Sequence, residues 1–175
     1  MIYLYLCNRI MTIELHNITI GQTIRELSAT IADGQLACLT ASHAAAGKTI
    51  LLRALLGFLP LDEGHICMDG ELLTPLSAPY FRRQMAYVPQ HVSQPEGCSV
   101  LGDGRWTAMT ADERYLWLVE RAVKSGRPLL VIDEPPVPLD VETLRCVDQL
   151  MLEAVGNGCT VIAANERLNK NPIQL

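Results

Sequence analysis

The sequence predicts an α/β fold. Short apolar runs with strand character alternate along the chain with segments of helical periodicity. Two of the runs, residues 35–40 and 129–132, are almost continuously apolar, which is typical of strands buried in a parallel sheet. The 175 residues match the size of one domain, and 49% hydrophobic with 19% charged residues exclude disorder as the main state.

The first two elements are predicted to be antiparallel strands. Apolar and polar side chains alternate in residues 12–20 around a break at residues 16–17, as in a half-buried strand. After a short turn, residues 23–31 return as a second strand that ends at the turn pair Asp33 and Gly34. We therefore expect a mixed, mainly parallel sheet with an N-terminal antiparallel edge.

The helix over residues 110–125 has the clearest signals among the remaining elements. Thr110 and Glu113 have the spacing of a capping box, and apolar residues follow at the intervals of one helix face. Residues 91–108 show little periodicity and are expected to form a loop. The other expected elements are helices over residues 48–58 and 141–155, a helical turn at 79–83, and strands over 62–69, 84–88 and 159–164.

The expected domain boundaries follow from where this pattern begins and ends. Met11 starts a better strand than Met1 does, so residues 1–10 are expected to be a leader or a frayed start. Residues 11–168 are predicted to form a single domain. The remaining residues, 169–175, are expected to be a frayed tail.

Charge and hydropathy argue against a nucleic-acid-binding protein and against a membrane-spanning one. The net charge is −5, and no basic cluster occurs beyond Arg82 and Arg83, so nucleic acid is not expected as a partner. The longest apolar candidate, residues 49–61, is interrupted by Arg53 and is shorter than the roughly 20 residues that span a bilayer. Any membrane role is therefore expected to depend on a partner.

Cysteine spacing argues against a zinc knuckle or a redox motif. No two cysteines form a CxxC pair, and no histidine stands at the ligand spacing of a knuckle. We expect buried thiols in a reducing compartment. The six cysteines are Cys7, Cys38, Cys67, Cys98, Cys146 and Cys159.

The segment that follows the strand at 35–40 has the chemistry of a phosphate-binding loop. Such a loop needs backbone N–H groups at a helix N-terminus, a lysine for the outer phosphates and a hydroxyl for Mg²⁺. Lys48 and Thr49 supply the last two, although Ser42 replaces the first glycine of the usual pattern and three alanines fill the loop. The alternative is that residues 47–49 merely begin a helix. The predicted binding residues are Ser42, Ala44, Ala45, Ala46, Gly47, Lys48, Thr49 and Ile50.

A second signal supports the phosphate site. The strand at residues 129–132 ends in Asp133 and Glu134, which places two carboxylates at the edge of a parallel sheet where ligands bind. Asp133 is suited to hold Mg²⁺ through water, and Glu134 to orient or deprotonate an attacking water.

Three further segments resemble the ATP-binding cassette (ABC) ATPases. Residues 129–140 resemble the Walker B motif and D-loop of that family, and residues 87–90 resemble its Q-loop. Residues 62–70 are similar to the strand that follows its Walker A helix. The resemblance covers residues 12–166 and implies a P-loop NTPase core that binds ATP and Mg²⁺.

The resemblance also implies residue roles. Lys48 would contact phosphate, Gln90 would sense Mg²⁺ and the attacking water, and Glu134 would be the catalytic base. Asn165 stands where the family has its switch histidine. The implied catalytic residues are thus Glu134, Gln90 and Asn165, and the implied metal ligands are Thr49, Gln90 and Asp133.

The chain departs from the family pattern in ways that predict weak binding and slow turnover. Residues 109–113 replace the signature sequence, no adenine-stacking aromatic stands near residues 20–21, and the helical subdomain is reduced to residues 91–108. The capping box at Thr110 and the charge of Asp112 are expected to prevent this helix N-terminus from binding a partner's phosphate.

The expected function is that of an ATP-binding, weakly hydrolysing subunit of an ABC-type transporter on the cytoplasmic side of the membrane. The expected partner is a membrane-spanning transporter subunit, and the chain would act as a homodimer or beside an intact sister ATPase. The alternative is a non-catalytic module that has lost nucleotide turnover. Trp106 and Trp117 would either form a partner surface or only pack internally. A small-molecule kinase is disfavoured by the motifs at residues 89–90 and 133–135.

Overall fold

A computed structural model describes residues 11–40, 45–90, 105–134, 139–164 and 171–175. The strands are β1 (Ile13–Ile20), β2 (Ile24–Ile31), β3 (Leu36–Thr40), β4 (Glu63–Met68), β5 (Glu71–Leu72), β6 (Met85–Val88), β7 (Leu129–Ile132), β8 (Thr160–Ala163) and β9 (Pro172–Gln174). The helices are α1 (Ala45–Leu55), α2 (Ala78–Arg82), α3 (Arg105–Ala108), α4 (Ala111–Lys124) and α5 (Val141–Gly156).

The centre of the fold is a parallel sheet with the strand order β6-β7-β8-β3-β9. The side chains of β7 alternate between two hydrophobic clusters: Leu129 and Val131 face one, and Leu130 and Ile132 face the other. Both faces of β7 are therefore covered, which explains why its sequence is a continuous apolar run.

The antiparallel strands form a second sheet with the order β2-β1-β4-β5. The predicted α/β class is thus confirmed, but these strands make a sheet of their own rather than an edge of the parallel one. The predicted break in β1 is a register shift, where Asn17 adopts a positive φ of 48° and its backbone N–H donates to Ser28.

Helix α1 joins the two sheets through one core. Its residues Leu51, Leu52 and Leu55 have no measurable exposure and share a cluster with side chains of both sheets. Helices α4 and α5 pack with the opposite face of the parallel sheet, through Tyr115, Val119, Val147 and Met151 among others. Among the helices that the structure describes, none has the length and apolar character needed to cross a bilayer.

Two predictions about helices are corrected. Helix α1 begins at Ala45 rather than at residue 48, and it ends at Leu55. Part of the expected loop at 91–108 is helical, since α3 occupies its last residues, while 91–104 lie outside the described residues, as do residues 1–10. Trp106 is buried and meets Trp117 edge to face at 5.6 Å between ring centroids, which favours internal packing over a partner surface.

The prediction of a frayed tail is wrong for residues 171–175. Strand β9 pairs in parallel with β3, and the backbone N–H of Leu175 donates to the carbonyl of Thr40 at 3.0 Å. Ile173 is buried in the core shared by both sheets, with 7% of its surface exposed. The short segment of residues 172–174 gives little periodicity of its own, so its strand conformation depends on this tertiary pairing.

We predict that Ile173→Ala lowers the free energy of unfolding by about 2–5 kcal/mol, because it leaves a cavity in the core. Gln174→Ala is the matched control, since Gln174 is exposed on the same strand. Urea unfolding of the two variants and the unmodified chain would measure the difference. Equal stability of both variants would show that the buried side chain of Ile173 does not stabilise the fold.

Candidate functional site

The edge of the parallel sheet brings the two predicted motifs together. Lys48 and Thr49 lie in the first turns of α1, which follows β3, and Asp133 and Glu134 follow directly after β7. Because β3, β8 and β7 are parallel neighbours, their carboxyl ends meet at one edge of the sheet. The motifs therefore converge although they are more than eighty residues apart in sequence.

Asp133 is the centre of this site. The hydroxyl of Thr49 donates to its carboxylate, at 3.1 Å from each of Oδ1 and Oδ2. The backbone N–H of Glu134 donates to Oδ1 at 3.0 Å, and the buried hydroxyl of Tyr115 donates to the Asp133 carbonyl at 2.8 Å. Asp133 is only 1% exposed, so these hydrogen bonds offset much of the cost of its burial.

Lys48 forms an ion pair with Glu134. Its Nζ lies 2.8 Å from Glu134 Oε2, and the two side chains are 4% and 44% exposed respectively. A buried ammonium without such a partner would strongly destabilise the fold, so the Glu134 carboxylate stabilises the charge of Lys48.

Burial dominates the electrostatics around Asp133. Desolvation raises the pKa of its carboxyl above the ordinary value, although hydrogen bonds from the Glu134 backbone and from Thr49 oppose the rise. The pKa of Tyr87 is raised as well, first by burial and then by the negative charge of Asp133.

A Mg²⁺ ion fits the donor set at Asp133. The Thr49 hydroxyl and the Asp133 carboxylate are hard oxygen donors in mutual contact, which is the chemistry that Mg²⁺ prefers. The raised pKa of Asp133 shows that burial disfavours its charged form. A cation bound there would stabilise the charged carboxylate.

The other predicted binding residues have different placements. Gln90 lies two residues beyond the end of β6. Strand β6 pairs with β7, and the Asp133 N–H donates to the carbonyl of Val88 at the end of β6, so Gln90 lies at the same edge of the sheet. The side chain of Ile50 packs against the core, which leaves only its backbone for a ligand. Ser42, Ala44 and Asn165 lie outside the described residues.

Ala45, Ala46 and Gly47 are part of α1, not of the loop in which they were expected. An added Cβ at Gly47 would lie 3.4 Å from Thr23 and 3.5 Å from Leu175, which are ordinary van der Waals distances, so packing at this position does not require glycine.

Sequence reasoning missed Tyr87 and Tyr115. Tyr87 lies on β6 directly opposite Val131 of β7, and Tyr115 lies on the buried face of α4. Their sequence signal was weak, because an aromatic residue in a strand or on an amphipathic helix ordinarily indicates core packing.

The predicted capping box is present at the start of α4. Glu113 Oε2 accepts from the Thr110 N–H at 2.7 Å, and Thr110 Oγ1 accepts from the Glu113 N–H at 3.2 Å. Asp112 has a contact that the sequence did not indicate, since its Oδ2 accepts from the backbone N–H of Asp140 at 2.9 Å. Asp140 in turn caps α5, and its hydrogen bond from the Thr143 N–H is the main cause of its lowered pKa.

Comparison with known proteins identifies the family. The family model described as "ABC transporter" matches residues 24–122, which is more than half of the chain. This chain belongs to the ABC transporter family. The matched segment includes the start of α1 and most of α4, while Asp133 and Glu134 follow it.

Curated relatives include longer proteins of this family. The ATP-dependent lipid A-core flippase of Burkholderia pseudomallei is 26% identical over 184 residues, which cover 85% of this chain and 30% of the flippase. An uncharacterized ABC transporter ATP-binding protein of Haemophilus influenzae is 24% identical over 192 residues, which cover 84% of this chain and 73% of that protein. The chain thus spans less than a third of the length of the flippases that it matches.

Solved structures show the same fold. An ATP-binding subunit of an ABC transporter matches with a TM-score of 0.69 and 17% identity, over 88% of this chain and 79% of that one. A nucleotide-free ATP-binding cassette from an ABC transporter matches with a TM-score of 0.71 and 16% identity, over 91% and 83% of the two chains. The predicted P-loop core is therefore confirmed, and the chain is an ATP-binding domain of the ABC transporter family. These similarities do not favour the alternative of a module without nucleotide turnover.

We predict that Asp133→Asn changes how stability depends on pH. Because burial raises the pKa of Asp133, the folded chain keeps a proton that the unfolded chain releases near the ordinary value of 3.8. As the pH rises from 3.8 through the raised pKa, the unmodified chain therefore loses stability relative to Asp133→Asn. Above the raised pKa the difference stays constant.

Urea unfolding between about pH 4 and about pH 8 would measure this difference. The same change at the exposed turn residue Asp33 is the matched control. Parallel stability profiles for the unmodified chain and Asp133→Asn would contradict the prediction.

Proposed function

We propose that the chain binds Mg-ATP at the edge of the parallel sheet and hydrolyses it slowly to drive a membrane transporter. The observation that carries the proposal is the ion pair of the buried Lys48 with Glu134, beside the hydrogen bond of Thr49 to Asp133. Together these four side chains supply a phosphate-binding cation, oxygen donors for a metal and a base for an attacking water.

The Lys48–Glu134 pair gives the site two states. When the phosphates of ATP enter, Lys48 exchanges the carboxylate of Glu134 for phosphate oxygens. Glu134 is then released, and its exposed side chain can accept a proton from the water that attacks the γ-phosphate. Glu134 thus has two successive roles, as the partner of the lysine and as the base.

The other proposed residues assist these two. Thr49, Asp133 and Gln90 would hold a Mg²⁺ ion, which would supply positive charge to the phosphates. Asn165, the proposed counterpart of the switch histidine, can donate a hydrogen bond to the γ-phosphate but cannot carry a positive charge. We expect this loss to slow turnover by about 10²–10³-fold.

The proposed partner is a membrane-spanning transporter subunit, which would hold the chain at the cytoplasmic face of the membrane. Support comes from the names of the relatives, which include a flippase and an ABC transporter ATP-binding protein. An intact sister ATPase would provide the second ATP-binding domain of a pair in which each nucleotide lies between the two domains.

We predict that Glu134→Gln binds ATP more tightly than the unmodified chain, because a neutral amide competes less well for Lys48. The variant is also expected to lose about 10²–10⁴-fold in hydrolysis, since it lacks the base. Lys48→Ala should lose ATP binding. Titration with a fluorescent ATP analogue and an assay of phosphate release would measure these effects.

The control for these variants is Glu142→Gln, which removes an exposed carboxylate from the first turn of α5. Unchanged ATP affinity in Glu134→Gln would show that the ion pair does not compete with phosphate. Unchanged affinity in Lys48→Ala would place the nucleotide elsewhere.

A separate prediction concerns self-association. The capping box satisfies the N–H groups of Thr110 and Glu113 at the start of α4, and the carboxylate of Asp112 adds a negative charge beside them. This helix N-terminus is therefore a poor ligand for the γ-phosphate held by a second copy.

We expect the unmodified chain, and also Glu134→Gln, to stay monomeric in Mg-ATP. The double variant Ala111→Gly with Asp112→Asn should shift the balance toward a dimer, because it removes the charge while an oxygen remains to accept from Asp140. Light scattering with and without Mg-ATP would test this. A nucleotide-dependent dimer of the unmodified chain would contradict it.

A further inference from the structure

The outward face of the antiparallel sheet carries a compact set of metal-binding side chains. Alternate residues of β1 and β4 point into the core, where Ile13, Leu15, Ile66 and Met68 are buried. The residues between them therefore lie on the opposite face. These outward residues are Glu14, His16, His65 and Cys67.

Strand register brings the four side chains together. In the antiparallel pair of β1 and β4, His16 stands directly opposite His65, and Glu14 stands directly opposite Cys67. Directly opposed residues have Cβ atoms about 4.5–5.5 Å apart, so the set occupies two adjacent rows of one face. In sequence the residues form two pairs with a spacing of two, which differs from knuckle spacing.

The donor atoms already lie close to one another. One ligand atom each from His16, His65 and Cys67 fall within 4.8 Å of one another. The two imidazole rings stack with their centroids 4.6 Å apart. A tetrahedral zinc site with these ligands needs donor separations of about 3.3–3.6 Å, so closure requires a side-chain movement of about 1 Å.

The two imidazoles have room for that movement, whereas Cys67 is the most buried of the three donors. His16 has 46% of its side chain exposed, and His65 is exposed as well. The backbone beneath them is held closely, because Gly64 has a φ of +81° and an added Cβ there would clash with the carbonyls of His16 and Asn17. The donors can thus rotate while the strands that position them stay in place.

Glu14 completes the set. Its Oε2 lies 3.1 Å from His16 Nε2, the distance of a hydrogen bond. Carboxylates commonly orient metal-bound histidines or serve as ligands themselves. The set therefore offers two imidazoles, one thiol and one carboxylate, which is a donor combination for zinc rather than for Mg²⁺ or Ca²⁺.

We propose that His16, His65 and Cys67, assisted by Glu14, form a binding site for a divalent cation of the zinc class. The site is separate from the proposed nucleotide site, since it lies on the other sheet and on the face turned away from α1. Its role is structural: the ion clips β1 to β4 at the last paired residues before the register shift between His16 and Thr19.

The experiment uses the purified chain, treated with a chelator and kept reduced, with Zn²⁺ or Co²⁺ as the only additions. Calorimetry should give one equivalent of Zn²⁺, and bound Co²⁺ should show a charge-transfer absorption from the cysteine thiolate. His65→Asn should weaken Zn²⁺ binding more than tenfold, and Glu14→Gln by about 10–100-fold. Zn²⁺ should also raise the melting temperature of the unmodified chain.

Cys67→Ser tests the thiolate directly, because it should remove the charge-transfer band. Cys146→Ser is the matched control, since Cys146 is exposed on α5 in the part of the fold away from this sheet, and it should leave the band intact. Circular dichroism would confirm that the variants are folded. The proposal is overturned if Zn²⁺ does not bind, if Cys67→Ser retains the band, or if Cys146→Ser abolishes it.

Discussion

The burial of one carboxylate organises the site. Asp133 follows strand β7 inside the protein, so its carboxylate and carbonyl need hydrogen-bond donors from the surrounding elements. Thr49 of α1 and Tyr115 of α4 both donate to it, one to the carboxylate and one to the carbonyl. Helices on opposite faces of the parallel sheet are thereby tied to one residue. The positions of Lys48 and Glu134 follow from that arrangement, because each is adjacent in sequence to a residue held there.

The sequence could predict the parts of the fold that depend on local signals. Continuous apolar strands, the capping box of α4 and each of the two phosphate-site motifs are all patterns among neighbouring residues. Strand β9 could not be predicted this way, because three residues become a strand only through pairing with β3. The start of α1 was placed too late because glycine and alanine between residues 44 and 47 suggested a loop. The hydrogen bond from Asp140 to Asp112 depends on how two helices meet, which no sequence spacing records.

The two sheets, which pack on one shared core, present different chemical groups at the protein surface. The parallel sheet places charged groups at its carboxyl edge, whereas the antiparallel sheet presents a face of paired histidines and a thiol. Sequence reasoning considered the cysteines only at knuckle spacing, and it expected them to be buried. Cys146 is exposed, so that expectation is wrong for it, whereas Cys67 is partly buried. His16 and His65 are far apart in sequence, and only the pairing of β1 with β4 brings them together.

The link between Asp112 and Asp140 has a mechanical consequence. It connects the first turn of α4 to the residue that caps α5, and the two helices also pack side by side on the same face of the sheet. Because the two helices are joined at one end and pack against each other, neither can rotate independently of the other. A push on α4 by a bound protein would therefore be transmitted to α5, and through Tyr115 to the carbonyl of Asp133. Helices α4 and α5 would therefore move together, relative to the carboxyl end of β7.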